Sequence, residues 1–201
     1  MPKIYILHLQ KNGITDDTTR ANTLTALVAQ ESAKIIPTNY TLNDIHIAPS
    51  ESKDSIRFYG NTISLLLQKV ATKNDIENEL KSINSYTQTK NTSDLSFIIK
   101  NKNNLDILIQ KVLNISVPPS AVAYHILFLN RLALYRDTLD NISKADTDPV
   151  RSLVGADKYV DVVVLAIRTL PQFSTYFNNK NIVFSAKDAG YVFTTGYTNT
   201  N

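Results

Sequence analysis

The three histidines of this chain are the side chains best suited to metal binding or proton transfer near neutral pH. His8 and His46 each lie between aliphatic residues, in the segments Leu-His-Leu and Ile-His-Ile. If these segments are paired strands, the two imidazoles could bind a divalent metal, with Asp44 as the nearest third ligand in the sequence. The chain has no H-x-H and no H-E-x-x-H pattern, so we favour a half-exposed histidine on the polar face of each strand.

His125 lies in a strongly apolar segment, on the same helical face as Leu129 and Leu132. We expect this histidine to be partly buried and hydrogen-bonded, in preference to acting as a catalytic base.

Carboxylates occur in three close pairs: Asp137 with Asp140, Asp157 with Asp161, and Asp146 with Asp148. Buried pairs on one helix face could hold Mg²⁺ or divide the roles of acid and base. We favour a solvated surface, with Asp140 paired to Arg136 four residues earlier. A divalent-metal-dependent enzyme using these aspartates, or His8 and His46, is therefore the second alternative function.

Glycine and cysteine usage disfavours several other kinds of chemistry. The five glycines are dispersed, and the chain has no G-x-G-x-x-G and no phosphate-binding P-loop pattern. It also has no G-x-S-x-G nucleophile turn. The absence of cysteine excludes disulfides, thiolate metal sites and cysteine nucleophiles. We predict a non-enzymatic protein without a cofactor.

The densest run of basic residues could bind a nucleic acid. It comprises Lys90, Lys100, Lys102 and Lys111. Such a run could follow a phosphate backbone without reading bases. The formal net charge is only +3, and Phe97 is the one aromatic residue available for base stacking. A weakly basic nucleic-acid-binding accessory protein is the first alternative function, and a solvated helix face is favoured over it.

The middle of the chain, residues 51–178, is predicted to be a helical body. Apolar residues recur with a period of 3.6 from Ser52 onwards. One expected apolar stripe consists of Ile76, Leu80 and Ile83. A later stripe has a candidate break at Asn103 and Asn104. The longest helix is expected to follow the segment Pro118-Pro119-Ser120 and to extend to about Ile142.

Further helices are expected after residue 147. Asp148 is the predicted N-cap of a helix whose first residue is Pro149, with Gly155 as a candidate end. Residues 159–170 contain Val-Val-Val, which favours a strand. We nevertheless predict a helix there, ended by Pro171, from an apolar stripe formed by Tyr159, Val163, Ala166, Ile167 and Leu170.

The two ends of the chain are predicted to form a sheet. Strands are expected at residues 3–10 and 44–48, and a C-terminal hairpin is expected from 181–185 and 191–195, with Gly190 in its loop. The predicted fold class is α+β, a predominantly helical bundle with a small mixed or antiparallel sheet made by the N-terminal strands and this hairpin. We expect a single domain, 1–201, with sheet-forming ends at 1–50 and 180–201.

Arginine and tyrosine on the long helix predict a protein interface, because both residue types are enriched at interfaces. The helix is also apolar on more than one face, so it is either central or covered by a partner. The expected contact residues are Arg131, Tyr135 and Arg136 on this helix, and Tyr191, Phe193 and Tyr197 near the C-terminus. We expect a homo-oligomer, other structural proteins as partners, or both.

The function predicted from these features is that of a non-enzymatic structural subunit of an oligomeric assembly. Asn and Thr make up about a fifth of the chain, a composition common among viral and phage structural proteins. A connector, tail or capsid-associated component of a particle is expected, located in the virion or the host cytoplasm. We expect no secretory signal, because the N-terminal apolar run is only about six residues long and has no small-residue cleavage site. We expect no membrane contact, because no apolar run approaches the ~18 residues of a span.

Overall fold

The computed structural model describes residues 17–68 and 73–195, which are predominantly helical. The longer helices are α1 (Asp17–Lys34), α2 (Lys53–Leu67), α3 (Lys73–Thr89), α4 (Ser96–Leu113), α5 (Val122–Ser143), α6 (Pro149–Ile167) and α7 (Thr169–Asn179), followed by the short α8 (Val192–Thr195). The predicted helical body is therefore confirmed. Within these residues, no helix combines the length and the apolar character that a membrane span requires.

Local capping signals determine where two of these helices begin. The Ser52 hydroxyl accepts a hydrogen bond from the Ser55 backbone N–H at 3.1 Å, and the Ser55 hydroxyl accepts one from the Ser52 N–H at 2.8 Å. Asp148 accepts a hydrogen bond from the Arg151 N–H at 3.0 Å, and Pro149 is the first residue of α6. These contacts satisfy backbone donors that have no partner within the first helical turn.

The observed sheet differs from the predicted one. It is parallel and consists of β1 (His46–Ile47) and β2 (Ser116–Val117), with a further hydrogen bond of 2.9 Å from the Ala48 N–H to the Val117 carbonyl. A strand at 44–48 was expected and is present in shortened form. Its partner lies between α4 and α5, so the expected mixed or antiparallel arrangement is wrong. The strand predicted at 3–10 lies outside the described residues.

The predicted C-terminal hairpin is wrong, because residues 189–195 form a 3₁₀ turn (Ala189–Tyr191) and then α8. Side chains of α2 bind the polar groups of this segment where a hairpin would use a second strand. The Gly190 N–H donates to Asn61 Oδ1 at 2.7 Å, Asn61 Nδ2 donates to Asp188 at 3.1 Å, and the Ser64 hydroxyl donates to the Ala189 carbonyl. The apolar side chains of Ile182, Phe184 and Phe193 are buried in this arrangement.

Three sequence features that resemble helix breaks have other roles. Asn103 and Asn104 lie within an unbroken α4. Gly155 lies inside α6, where a Cβ atom would come within 3.0 Å of Asn141 Cβ and of Ile142. This glycine therefore allows two helices to approach closely, and it does not end one.

Residues 159–167 are helical as predicted, but Pro171 does not end this helix. The helix α6 ends at Ile167, and Pro171 is the third residue of α7. Proline is tolerated in a first turn because its missing N–H would have no helical acceptor there.

The described residues form two compact units. Unit 1 contains residues 17–37, 73–103 and 136–160. Unit 2 contains residues 38–68, 104–135 and 161–195.

The interior of unit 1 contains a buried carboxylate that the apolar pattern did not predict. Glu79 is fully buried and accepts hydrogen bonds from the Asn101 side-chain amide and the Tyr159 hydroxyl. In the expected stripe of α3, by contrast, Leu80 is 44% exposed. The buried face of α3 is thus rotated from the predicted one and carries a polar group.

The interior of unit 2 is an aromatic cluster. Its buried rings belong to Tyr59, Phe128, Phe173, Tyr176, Phe177, Phe184 and Phe193. Phe177 contacts five of the others, with ring centroids 5.0 to 6.4 Å apart. A Cβ atom at Gly60 or at Gly190 would lie 2.4 Å from the Phe184 ring, so both glycines make room for this side chain.

Candidate functional site

The histidines do not come together with carboxylates in the part of the chain that the structure describes. His46 is exposed on β1, and His8 lies outside the described residues. Asp44 accepts hydrogen bonds from the Thr41 N–H at 2.7 Å and the Thr41 hydroxyl at 2.9 Å, so it caps a turn. Residues 17–68 and 73–195 contain no group of three or more His, Cys, Asp or Glu side chains that could hold a metal ion.

His125 is fully buried in unit 2, deeper than the sequence predicted. Its Nδ1 lies 3.0 Å from the Tyr59 hydroxyl. Burial lowers the pKa of His125 to about 4, an effect that the nearby backbone of Val112 only partly offsets. Nε2 makes no hydrogen bond of good geometry among the described residues. The ring is therefore neutral at pH 7, when Tyr59 can donate to Nδ1.

The aspartates that are paired in the sequence have separate partners or surroundings in the structure. Asp137 lies 3.0 Å from Arg136 Nε, and Asp140 lies 2.6 Å from Lys144 Nζ. Asp148 is a helix cap, and Asp146, Asp157 and Asp161 are exposed. The exposure of Asp146, Asp157 and Asp161 agrees with the prediction that these carboxylates are solvated.

The four lysines proposed for nucleic-acid binding differ in their surroundings. Lys90 Nζ donates to the Thr87 carbonyl at 2.6 Å and lies 5.7 Å from the centre of the Tyr86 ring. Lys100 is exposed and Lys102 is half-buried. Because they are two residues apart in α4, they point to different sides of this helix. Lys111 belongs to the other unit and is exposed.

The residues predicted to form an interface fall into three groups. Tyr135 and Phe193 are buried in the interior of unit 2. Arg131, Arg136 and Tyr191 remain partly or largely exposed, and Tyr197 lies outside the described residues. Of the contact residues predicted on α5, Arg131 is therefore the one that lies at the surface of unit 2.

Arg131 lies where α5 and α7 pack in antiparallel orientation. At one end of this contact, Ser120 Oγ and the Tyr176 hydroxyl are 2.9 Å apart. At the other end, Arg131 Nη1 donates to Thr169 Oγ1 at 3.0 Å and to Gln172 Oε1 at 2.9 Å. Both acceptors are neutral, so they orient the guanidinium without neutralising its charge.

A second arginine, Arg168, lies beside the first and precedes α7. Burial and the charge of Arg168 both lower the pKa of Arg131, burial having the larger effect. No carboxylate within the described ranges lies at ion-pair distance from either guanidinium. The two arginines thus repel each other and form a local positive charge that an anionic group would stabilise.

Exposed aliphatic side chains lie directly before Arg168 on α6. Val164 is 38%, Leu165 37% and Ile167 43% exposed. Together with Asp161 and Arg168 they form a surface that we call the α6 face. Its five residues all belong to unit 2 and are all exposed.

The α6 face was missed at the level of the sequence because the expected apolar stripe used only part of the helix. Tyr159, Val163 and Ala166 are buried as that stripe predicts, whereas Ile167 is exposed. Val164 and Leu165 lie outside the stripe, so this helix carries more apolar residues than one buried face needs. Apolar residues in excess of one buried face indicate that the helix has a second contact surface.

Comparison with protein-family models, with curated proteins and with solved structures finds no match to this chain.

Proposed function

We propose that this protein is a non-enzymatic structural subunit that acts by associating with other polypeptide chains. The observation that supports the proposal is the α6 face, where exposed aliphatic side chains adjoin two arginines that have no carboxylate at ion-pair distance among the described residues. The expected setting is a particle such as a virion, in which the subunit is a connector, tail or capsid-associated component.

The chemistry of this face is that of a contact surface. Aliphatic side chains clustered on one helix lose unfavourable contact with water when another chain covers them. Arginine adds directional hydrogen bonds, and it is enriched in the energetically important parts of interfaces. Thr169 and Gln172 hold Arg131 in place beforehand, which reduces the conformational entropy lost on binding.

The ionisable groups with the deepest burial serve the interior of the protein in this proposal. His125 is fully buried against the Tyr59 ring, and Glu79 is hydrogen-bonded inside the helices of unit 1. Each group forms hydrogen bonds with its buried neighbours.

Self-association can be measured directly by light scattering coupled to size-exclusion chromatography. We expect the molar mass of the full chain to rise above 22.5 kDa as its concentration increases from about 1 to about 100 μM, a range suited to micromolar affinity. A mass that stays at the monomer value over this range would contradict self-association.

A further inference from the structure

We propose that two copies of this chain pair through their α6 faces in antiparallel orientation, with Asp161 of each copy against Arg168 of the partner subunit. This inference rests on the proposed function, because it specifies which surface self-associates and how.

The spacing along α6 makes its face self-complementary. Residues advance by about 100° around a helix, so Asp161 and Arg168, seven positions apart, lie nearly in line and about 10 Å apart along the axis. Val164 and Leu165 lie between them and flank that line. The face therefore has an acidic end, an aliphatic middle and a basic end.

A twofold axis between positions 164 and 165 relates the two ends to each other. In the antiparallel pair it places Asp161 opposite Arg168 of the partner subunit, and the symmetry repeats this ion pair at the other end. It also places Val164 opposite Leu165 of the partner subunit, which buries the aliphatic middle. A parallel pair would instead place like charges together and would be disfavoured.

The charge pattern of the α6 face favours a second copy of the chain as the partner that covers it. Arg168 and its neighbour Arg131 have no carboxylate at ion-pair distance, and Asp161 has no basic partner, within residues 17–68 and 73–195. The same face thus carries both the anion that the arginines need and the cation that the carboxylate needs. Arg131 strengthens the positive end, because its guanidinium is held beside Arg168 by Thr169 and Gln172.

Charge reversal tests this arrangement with exposed residues whose replacement leaves the interior unchanged. In Asp161→Arg or Arg168→Asp, both intermolecular ion pairs become like-charge contacts. We expect either variant to raise the dimer dissociation constant at least about tenfold in sedimentation equilibrium. An equimolar mixture of the two variants restores both ion pairs and is expected to form heterodimers. Lys187→Asp, in an exposed loop of unit 2, is the matched control and should dimerise like the unaltered chain.

A cysteine at the proposed twofold axis provides a second measurement. The chain has no cysteine of its own, so Val164→Cys introduces a single thiol close to its symmetry mate. We expect mild oxidation to yield a covalent dimer of this variant, whereas Lys187→Cys should remain largely monomeric.

The outcomes separate this inference from the proposed function. Loss of dimers in both single variants, with recovery in their mixture, supports the antiparallel pairing. Self-association that neither charge reversal weakens would overturn the pairing and leave assembly through another surface. A strictly monomeric unaltered chain would overturn both the pairing and self-association.

Discussion

The two units of this molecule bury an ionisable side chain in different ways. In unit 1, Glu79 receives hydrogen bonds from Asn101 and Tyr159 inside a helical core. In unit 2, His125 is buried against the Tyr59 ring, and burial lowers its pKa to about 4. A carboxylate is thus accommodated by donors aimed at its oxygens, whereas an imidazole is accommodated by remaining neutral.

The difference shows that similar helices support different interiors. The polar interior of unit 1 depends on hydrogen bonds with defined directions, so removing one partner leaves the others unsatisfied. The aromatic interior of unit 2 depends on area and shape, so its energy is spread over many weak contacts. Substitutions at the centre of each unit should therefore destabilise the protein for different reasons.

The largest effect is expected at the centre of the aromatic cluster. Phe177→Ala removes a ring that contacts five others and leaves a cavity, so we expect a loss of about 3–5 kcal/mol in the free energy of unfolding. Urea denaturation followed by circular dichroism measures this loss. Phe58→Ala is the control, because Phe58 is 74% exposed and its loss should change stability by less than about 0.5 kcal/mol. Equal effects at the two positions would contradict the assigned packing.

The next effect concerns the polar interior of unit 1. Glu79→Leu keeps the bulk of the side chain but leaves the Asn101 amide and the Tyr159 hydroxyl without this acceptor. We expect a loss of about 2–3 kcal/mol in urea denaturation, since unsatisfied buried polar groups cost about 1–3 kcal/mol. Glu77→Leu makes the same change at an exposed position of α3 and should be nearly neutral. A Glu79→Leu variant as stable as the unaltered chain would mean that the buried carboxylate makes no net contribution to the free energy of unfolding.

The third effect is the pH dependence that His125 confers on stability. Its pKa is about 4 when folded and about 6.5 when unfolded, so between these values the unfolded chain binds a proton that the folded chain does not. The resulting contribution to the free energy of unfolding is complete above pH 6.5. It is lost as the pH falls towards 4, with a slope of up to about 1.4 kcal/mol per pH unit. His125→Phe should remove this part of the slope between pH 7 and 5. His46→Gln, on exposed β1, should keep it, and an unchanged slope in His125→Phe would refute the assignment.

The smallest effect should be alike in both units, because helix capping is local. Ser52→Ala removes the cap of α2 in unit 2, and Asp148→Ala removes the cap of α6 in unit 1. Each is expected to lower the free energy of unfolding by about 1 kcal/mol. Ser52→Asp and Asp148→Ser retain an accepting oxygen and should recover most of the loss. A much larger cost at one cap would show that this side chain also has a tertiary role.

Sequence reasoning succeeded where the deciding interaction is local. The starts of α2 and α6 follow from Ser52 and from Asp148-Pro149, and residues 159–167 form the predicted helix. Capping bonds and helical periodicity connect residues only a few positions apart, so they are visible in the one-dimensional pattern.

The candidate site was predictable only in part. Arg131 was identified because its type and position on the long helix favour an interface. Arg168 and the exposed residues Val164 and Leu165 were not, because their role depends on which side of α6 is covered. Tyr135 and Phe193 have the same favourable residue types, but packing places them in the interior.

By itself, the sequence determined that this chain is mainly helical and where several helices begin. Only the tertiary structure decided that β1 pairs with a segment about seventy residues away, that Glu79 faces inward in place of Leu80, and that Gly155 lies between packed helices. It also decided that Arg131 lies beside Arg168, whose charge lowers the pKa of Arg131. The physical reason is that each of these outcomes depends on long-range packing, and a residue's own neighbours in the chain do not specify which distant surface will cover it.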